Sequence, residues 1–116
     1  MLTFTTSEAA GVLIVEFEAT QDEGLDWQFT RRDWLYQAIE SRDDGRFALD
    51  LSDVDYPASS EIGFLVTLKR RIDRRRGRLV VFGVAPYVLH IFRTMNLQKL
   101  LDVVDSRNAA LAQLRA

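Results

Sequence analysis

The sequence predicts an α/β domain in which a mixed, mostly parallel sheet of about five strands is packed by four helices in the order β-β-α-β-α-β-α-β-α. Short apolar runs bounded by turn residues recur along the chain, as Val12-Leu13-Ile14-Val15, Phe47-Ala48-Leu49 and Leu79-Val80-Val81-Phe82. Runs this continuous belong to strands buried on both faces. Between them lie segments whose apolar residues repeat at helical spacing. The 116 residues hold no internal repeat, low-complexity tract or Pro/Ser-rich linker, so 1–116 reads as one domain.

Residues 2–6 read as a short strand, and Gly11 opens a second over 12–18 that should run antiparallel to it. Residues 19–29 read as a polar connection. Thr30 and Asp33 have capping-box spacing and should start a helix through Ser41 with Trp34, Leu35, Ala38 and Ile39 on one face. Asp43-Asp44-Gly45 ends that helix, and 47–51 forms the next strand. After a loop containing Pro57, the residues Ile62, Leu65, Val66 and Ile72 mark a helix stopped by Gly77. Residues 78–83 are the clearest buried strand. Pro86 suits the first turn of a helix with Val88, Ile91, Phe92 and Met95 inward, capped at its end by Asn96. Residues 100–104 form a last strand, and Ser106 caps a terminal helix with Leu111 and Leu114 inward.

Composition narrows the function. The chain is 47% hydrophobic and 28% charged, a globular balance, and a domain of this length folds without a disulfide or metal. Cysteine is absent, which removes disulfides, thiolate zinc sites and a cysteine nucleophile and suits a cytoplasmic setting. The start of the chain lacks the basic and apolar stretches of a secretion signal, and no apolar run reaches membrane-helix length, so direct membrane insertion is not expected. The net charge of −2 gives no general attraction to nucleic acid. Charge is nonetheless uneven. Lys69, Arg70, Arg71, Arg74, Arg75, Arg76 and Arg78 crowd one segment, whereas Asp50 to Glu61 is acidic with no base.

The segment Asp50-Leu51-Ser52-Asp53-Val54-Asp55-Tyr56-Pro57-Ala58-Ser59-Ser60-Glu61-Ile62-Gly63-Phe64-Leu65 resembles the signature of the STAS family, the SpoIIAA-like anti-sigma-factor antagonists. In that family a strand ending Asp-Leu-Ser leads through a loop into Asp-Ser-Ser-Gly-Leu-Gly and a helix. The resemblance continues through the strand at 79–81, the Pro86 helix, Asn96-Leu97-Gln98-Lys99-Leu100, Val103-Val104-Asp105-Ser106 and the Ala-rich end. It implies a protein-binding regulator with no cofactor, whose partner is an anti-sigma factor that is also a serine kinase. It further implies a phosphorylation site at Ser59, the first serine of the motif. The residues implied to meet the partner are Tyr56, Ser59, Ser60, Glu61, Phe64 and Leu65.

Two departures bear on that switch. The motif's acid is Ala58 here, and the glycine two places after Ser59 is Glu61. A carboxylate about 4 Å from a phosphate repels it by ~1 kcal/mol per charge pair in water and ~4 at an effective dielectric of 20. Helix-dipole stabilisation of a phosphate returns only about 0.3–1 kcal/mol. Ser59 is therefore expected to be a poor kinase substrate. On local chemistry alone, Ser59 or Ser60 reads simply as the helix N-cap.

The other constellations read as structure. Asp50, Asp53, Asp55 and Glu61 match no calcium-loop spacing, and Asp50 suits a hydrogen-bonding role at its strand end. The arginines near a helix C-terminus read as a solvated face, with docking of an acidic partner as the alternative. No aromatics interleave with them as nucleic-acid binding would require. His90, the only histidine, falls off the inward stripe and has no zinc or triad companions. Trp27 and Trp34 could line a pocket or simply pack. No catalytic set emerges, so the chain is not read as an enzyme. Three roles stay open: a phosphoserine-switched anti-sigma antagonist, a phosphorylation-independent subunit docking onto a transporter or large signalling assembly, and a small-ligand or nucleotide binder.

Overall fold

A two-residue turn at Ala10-Gly11 sets the first hairpin, joining β1 (Leu2–Ala9) antiparallel to β2 (Val12–Ala19). Both turn residues have positive φ, 53° and 78°, the combination that matches a hairpin's twist. The computed structural model describes the backbone of residues 2–19 and 25–115 and the side chains of 3–18 and 32–115. After β2 come α1 (Leu25–Glu40), β3 (Arg46–Asp53), α2 (Ser59–Arg74), β4 (Arg78–Phe82) and α3 (Pro86–Thr94). A 3-10 turn over Leu97–Lys99, then β5 (Asp102–Val104) and α4 (Arg107–Leu114), complete the chain.

The strands lie in sequence order, β1-β2-β3-β4-β5, with β2 to β5 mutually parallel. This is the mixed, mostly parallel sheet with helical cover that the sequence predicts. One face of the sheet shares its core with α1 through Leu35 and Ile39, with α2 through Ile62, Leu65, Leu68 and Ile72, and with α3 through Val88 and Phe92. Among the described residues the other face is covered by α4 alone, whose Ala110 and Leu114 sit over Val12, Ile14, Ala48, Val80 and Phe82. Ser106 caps α4 as expected, its hydroxyl accepting from the Ala109 N–H at 3.1 Å.

Several boundaries differ from the sequence reading. The tight turn carries β1 to Ala9 rather than residue 6. Helix α1 starts at Leu25, so Thr30 lies within it and is not its N-cap. Nothing in 25–29 is Gly or Pro, so nothing stops the helix there. The Thr30 and Trp27 side chains, and the connection over 20–24, lie outside the described residues. Trp34 is 48% exposed instead of inward, its ring 6.3 Å from that of Phe4. Met95, expected on the buried stripe of α3, is 51% exposed because the helix ends at Thr94. Asn96 takes the left-handed conformation just past that end. The last strand begins at Asp102 rather than Leu100, after a 3-10 turn over Leu97–Lys99.

Helix α2 closes with paired hydrogen bonds, Arg76 N–H to Asp73 O at 3.0 Å and Gly77 N–H to Ile72 O at 2.9 Å. The left-handed residue of this motif is Arg76, φ 59°, one position before the expected Gly77. Gly77 is needed for another reason: a Cβ there would stand 2.8 Å from the Gly45 carbonyl oxygen.

Candidate protein-interaction site

Parallel strands deliver their C-terminal loops to one edge of the sheet, so the β3–α2 and β4–α3 connections lie side by side. The β3–α2 loop is fixed from below by Val54, 2% exposed, whose N–H bonds Leu51 O at 3.0 Å. Asp50 fixes its start, accepting from the Ser52 N–H at 2.9 Å and from the Ser52 hydroxyl. Gly83 leaves β4 with φ 72°, and a Cβ there would collide with Ser52 Oγ and lie 3.1 Å from Asp50 Oδ1. The Asp50 role read from the sequence is thus the observed one. Among the described residues no three potential metal-binding side chains gather.

With its apolar anchor inside, the loop turns Asp55 and Tyr56 outward. Tyr56 is 82% exposed and meets the half-exposed Tyr87 from the head of α3, ring centroids 5.4 Å apart at 55°. Helix α2 then begins without a side-chain cap from its N-cap residue, because Ala58 (φ −74°, ψ 159°) has no oxygen to offer. Glu61, in the first turn, supplies the missing acceptor by reaching back: its Oε1 accepts from the Ala58 N–H at 2.7 Å. Ser59 and Ser60 occupy the first two helical positions, exposed, and neither is the N-cap.

The expected contact residues therefore divide. Tyr56, Ser59 and Ser60 are at the surface. Glu61 (7% exposed), Phe64 (7%) and Leu65 (2%) are buried, and they present no contact surface. Leu65 lies on the core stripe of α2. Phe64 is held by Phe17 and Tyr36, ring centroids 6.2 and 5.8 Å away, with the Arg32 guanidinium 4.8 Å above its ring. Gly63 takes their place on the outer face of α2: it is exposed, and an added Cβ would meet nothing within 4 Å. Tyr87 and Gly63 were not singled out from the sequence. Tyr87 was discoverable, since any aromatic following β4 in a parallel sheet emerges beside the β3–α2 loop.

The basic segment spans the second half of α2 and its exit. Lys69 pairs with Asp73 at 2.7 Å, Arg71 with Glu40 at 2.5 Å and Arg75 with Asp43 at 3.3 Å. Arg71 also stacks 3.9 Å over the Tyr36 ring. His90 is exposed, away from the buried stripe of α3. No helix among the described residues is long and apolar enough to cross a membrane.

The family model described as "Mlab, STAS domain" matches residues 26–104, from the second residue of α1 to the end of β5. The chain belongs to the STAS family. No curated protein matches it in sequence. As a STAS domain it is similar over its whole length to solved structures. One is an anti-sigma-factor antagonist (STAS) domain protein from Planctomyces limnophilus, at TM-score 0.82 and 19% identity, covering 97% of this chain and 98% of that one. An anti-sigma factor antagonist from Mycobacterium paratuberculosis gives TM-score 0.73 and 20% identity over 100% and 96% of the two chains. SpoIIAA in its unphosphorylated form gives 0.75 and 17% over 97% and 96%. In this STAS domain the motif serine falls at the head of α2, where the family's departure at position 61 has become a built-in helix cap.

Proposed function

We propose that this STAS domain is a regulatory binding module of the anti-sigma-antagonist type, cytoplasmic, without chemistry of its own, and that it meets its partner through Tyr56, Ser59, Ser60, Gly63 and Tyr87. One observation carries this reading. The loop and first turns of α2 are rigidly underpinned, yet their outward face is left bare. A pre-organised face with exposed aromatic anchors suits recognition, because little ordering is needed on binding.

Glu61 bears on how the module is regulated. SpoIIAA has also been solved in a phosphorylated form, a structure with TM-score 0.67 to this chain. Here a carboxylate already accepts from the N-cap amide of α2, so a phosphate on Ser59 would meet both a used donor and a like charge. This favours constitutive, phosphate-independent engagement, as a subunit of a larger assembly would require. The stressosome is one assembly with a structure similar to this chain, at TM-score 0.76.

Affinity capture from native extract with the wild type and with Ser59→Asp tests both parts. A partner held by the wild type and released by Ser59→Asp and by Tyr87→Ala is the expected result. Incubation with that partner and ATP should leave Ser59 essentially unmodified; rapid stoichiometric phosphoserine at Ser59 would refute the constitutive reading. Capture unaffected by either substitution would refute the site.

A further inference from the structure

The two ends of α2 carry opposite charge on a scale that the partner-binding reading does not use. At its C-terminal end, Arg74, Arg75 and Arg76 line an open cavity of about 310 Å³ together with Asp43 and Asp44. Arg75 is paired with Asp43. Arg74, Arg76 and Arg78 are exposed and form no ion pair among the described residues. Arg76 also holds a left-handed backbone, φ 59°, a conformation that disfavours a residue with a side chain.

At the other end, the sheet edge to which the parallel strands deliver their C-terminal ends, stand the exposed Glu18, Asp55 and Asp105 and the Tyr56–Tyr87 pair, with Arg107 engaged by Glu16 at 3.3 Å. The 16-residue helix between the poles is about 24 Å long, so one copy cannot join its own ends. The molecule already uses the chemistry that would join two copies: Arg71 stacks over Tyr36 at 3.9 Å and Arg32 over Phe64 at 4.8 Å.

We propose that the Arg74–Arg78 pole of one copy docks on the Tyr56–Tyr87 and carboxylate pole of a second copy, head to tail. The contact is heterologous, so each pair leaves one pole open at either end and short chains grow with concentration. The docked arginines cover the surface beside Ser59 and Ser60. Self-association and partner binding therefore compete.

Sedimentation of the purified domain tests this without any partner. The average mass should rise from the 13.3 kDa monomer with concentration at low salt. It should return to monomer at high salt, as the screening length falls from about 30 Å at 0.01 M to about 3 Å at 1 M. Arg74→Glu with Arg76→Glu in one variant, and Asp55→Lys with Asp105→Lys in another, should each stay monomeric. An equimolar mixture of the two should associate where neither does alone, since the intact arginine pole of the second variant still meets the intact carboxylate pole of the first. Tyr87→Ala, which changes no charge, should weaken association about tenfold. A wild type that stays monomeric at low salt overturns the proposal, as does a mixture that stays monomeric. Association surviving in the lysine variant but lost in the glutamate variant would place another anion on the arginines and also overturn it.

Discussion

Replacing Gly63 by alanine should stabilise the fold while weakening partner binding, two effects of opposite sign from one methyl group. Gly63 lies inside α2, beyond its first turn. An interior glycine costs a helix about 0.8–1 kcal/mol relative to alanine. A Cβ at this position meets no atom within 4 Å, so no clash subtracts from that gain and no packing adds to it. The hydrogen bond from Thr67 Oγ1 to the Gly63 carbonyl, 2.9 Å, uses backbone that the substitution leaves in place. For a domain of 116 residues the gain corresponds to a rise in Tm of about 4 °C. Thermal and urea melts of Gly63→Ala beside the wild type, with an unchanged urea slope, give the first readout. Capture of the partner gives the second, where an unaccommodated methyl at a packed contact should lower affinity about fivefold or more. A Tm that falls at constant slope would show that Gly63 is required by the chain's own packing. The argument that its bareness serves a partner would then fail.

Gly83→Ala should destabilise by about 2 kcal/mol or more, because φ is 72° and the new methyl meets Ser52 and Asp50; a chemical denaturation midpoint checks it. Ala10→Asn should stabilise by roughly 0.5–1 kcal/mol, since residue 10 has φ 53° in a two-residue hairpin and asparagine tolerates that conformation, again read by denaturation. The Tyr36 phenol is pushed above its ordinary value of 10.0 mainly by burial, with Arg32 and Arg71 pulling the other way. The folded state therefore keeps that proton longer than the unfolded chain. Tyr36 contributes stability below its unfolded pKa that is lost as pH rises past about 10, and Tyr36→Phe should flatten that alkaline decline in a pH series of melts.

The layered architecture was legible because periodicity reports burial directly: Leu79 to Phe82 is buried on both faces and reads as such, and the Val88–Phe92 spacing marks one side of a helix. What periodicity cannot report is which of two adjacent apolar residues wins the inside. Phe64 and Leu65 are consecutive, and both are buried because α1 and β2 close over Phe64, a tertiary fact. Met95 continued the stripe in sequence, but the helix stopped before it. The motif placed Ser59 at the head of α2 correctly and mistook the role of Glu61, since a side chain turning back on its own helix and one facing outward share the same sequence. Arg76 shows the same limit at a helix end, where the nearby glycine was the stronger signal and the bonding pattern chose its neighbour.

Because spatial order along the sheet copies order along the chain, β3 is the central strand, bracketed by β2 and β4, and β5 is an outer rail held on one side only. Thermal fraying should begin with α4, since among the described residues that helix alone shields its face. Its departure would wet Ala48 and Val80 yet leave the opposite layer, and the loop that β3 supports, in register. Amide exchange should accordingly be slowest in β3, so that the β3–α2 loop is rooted in the last part of the molecule to open.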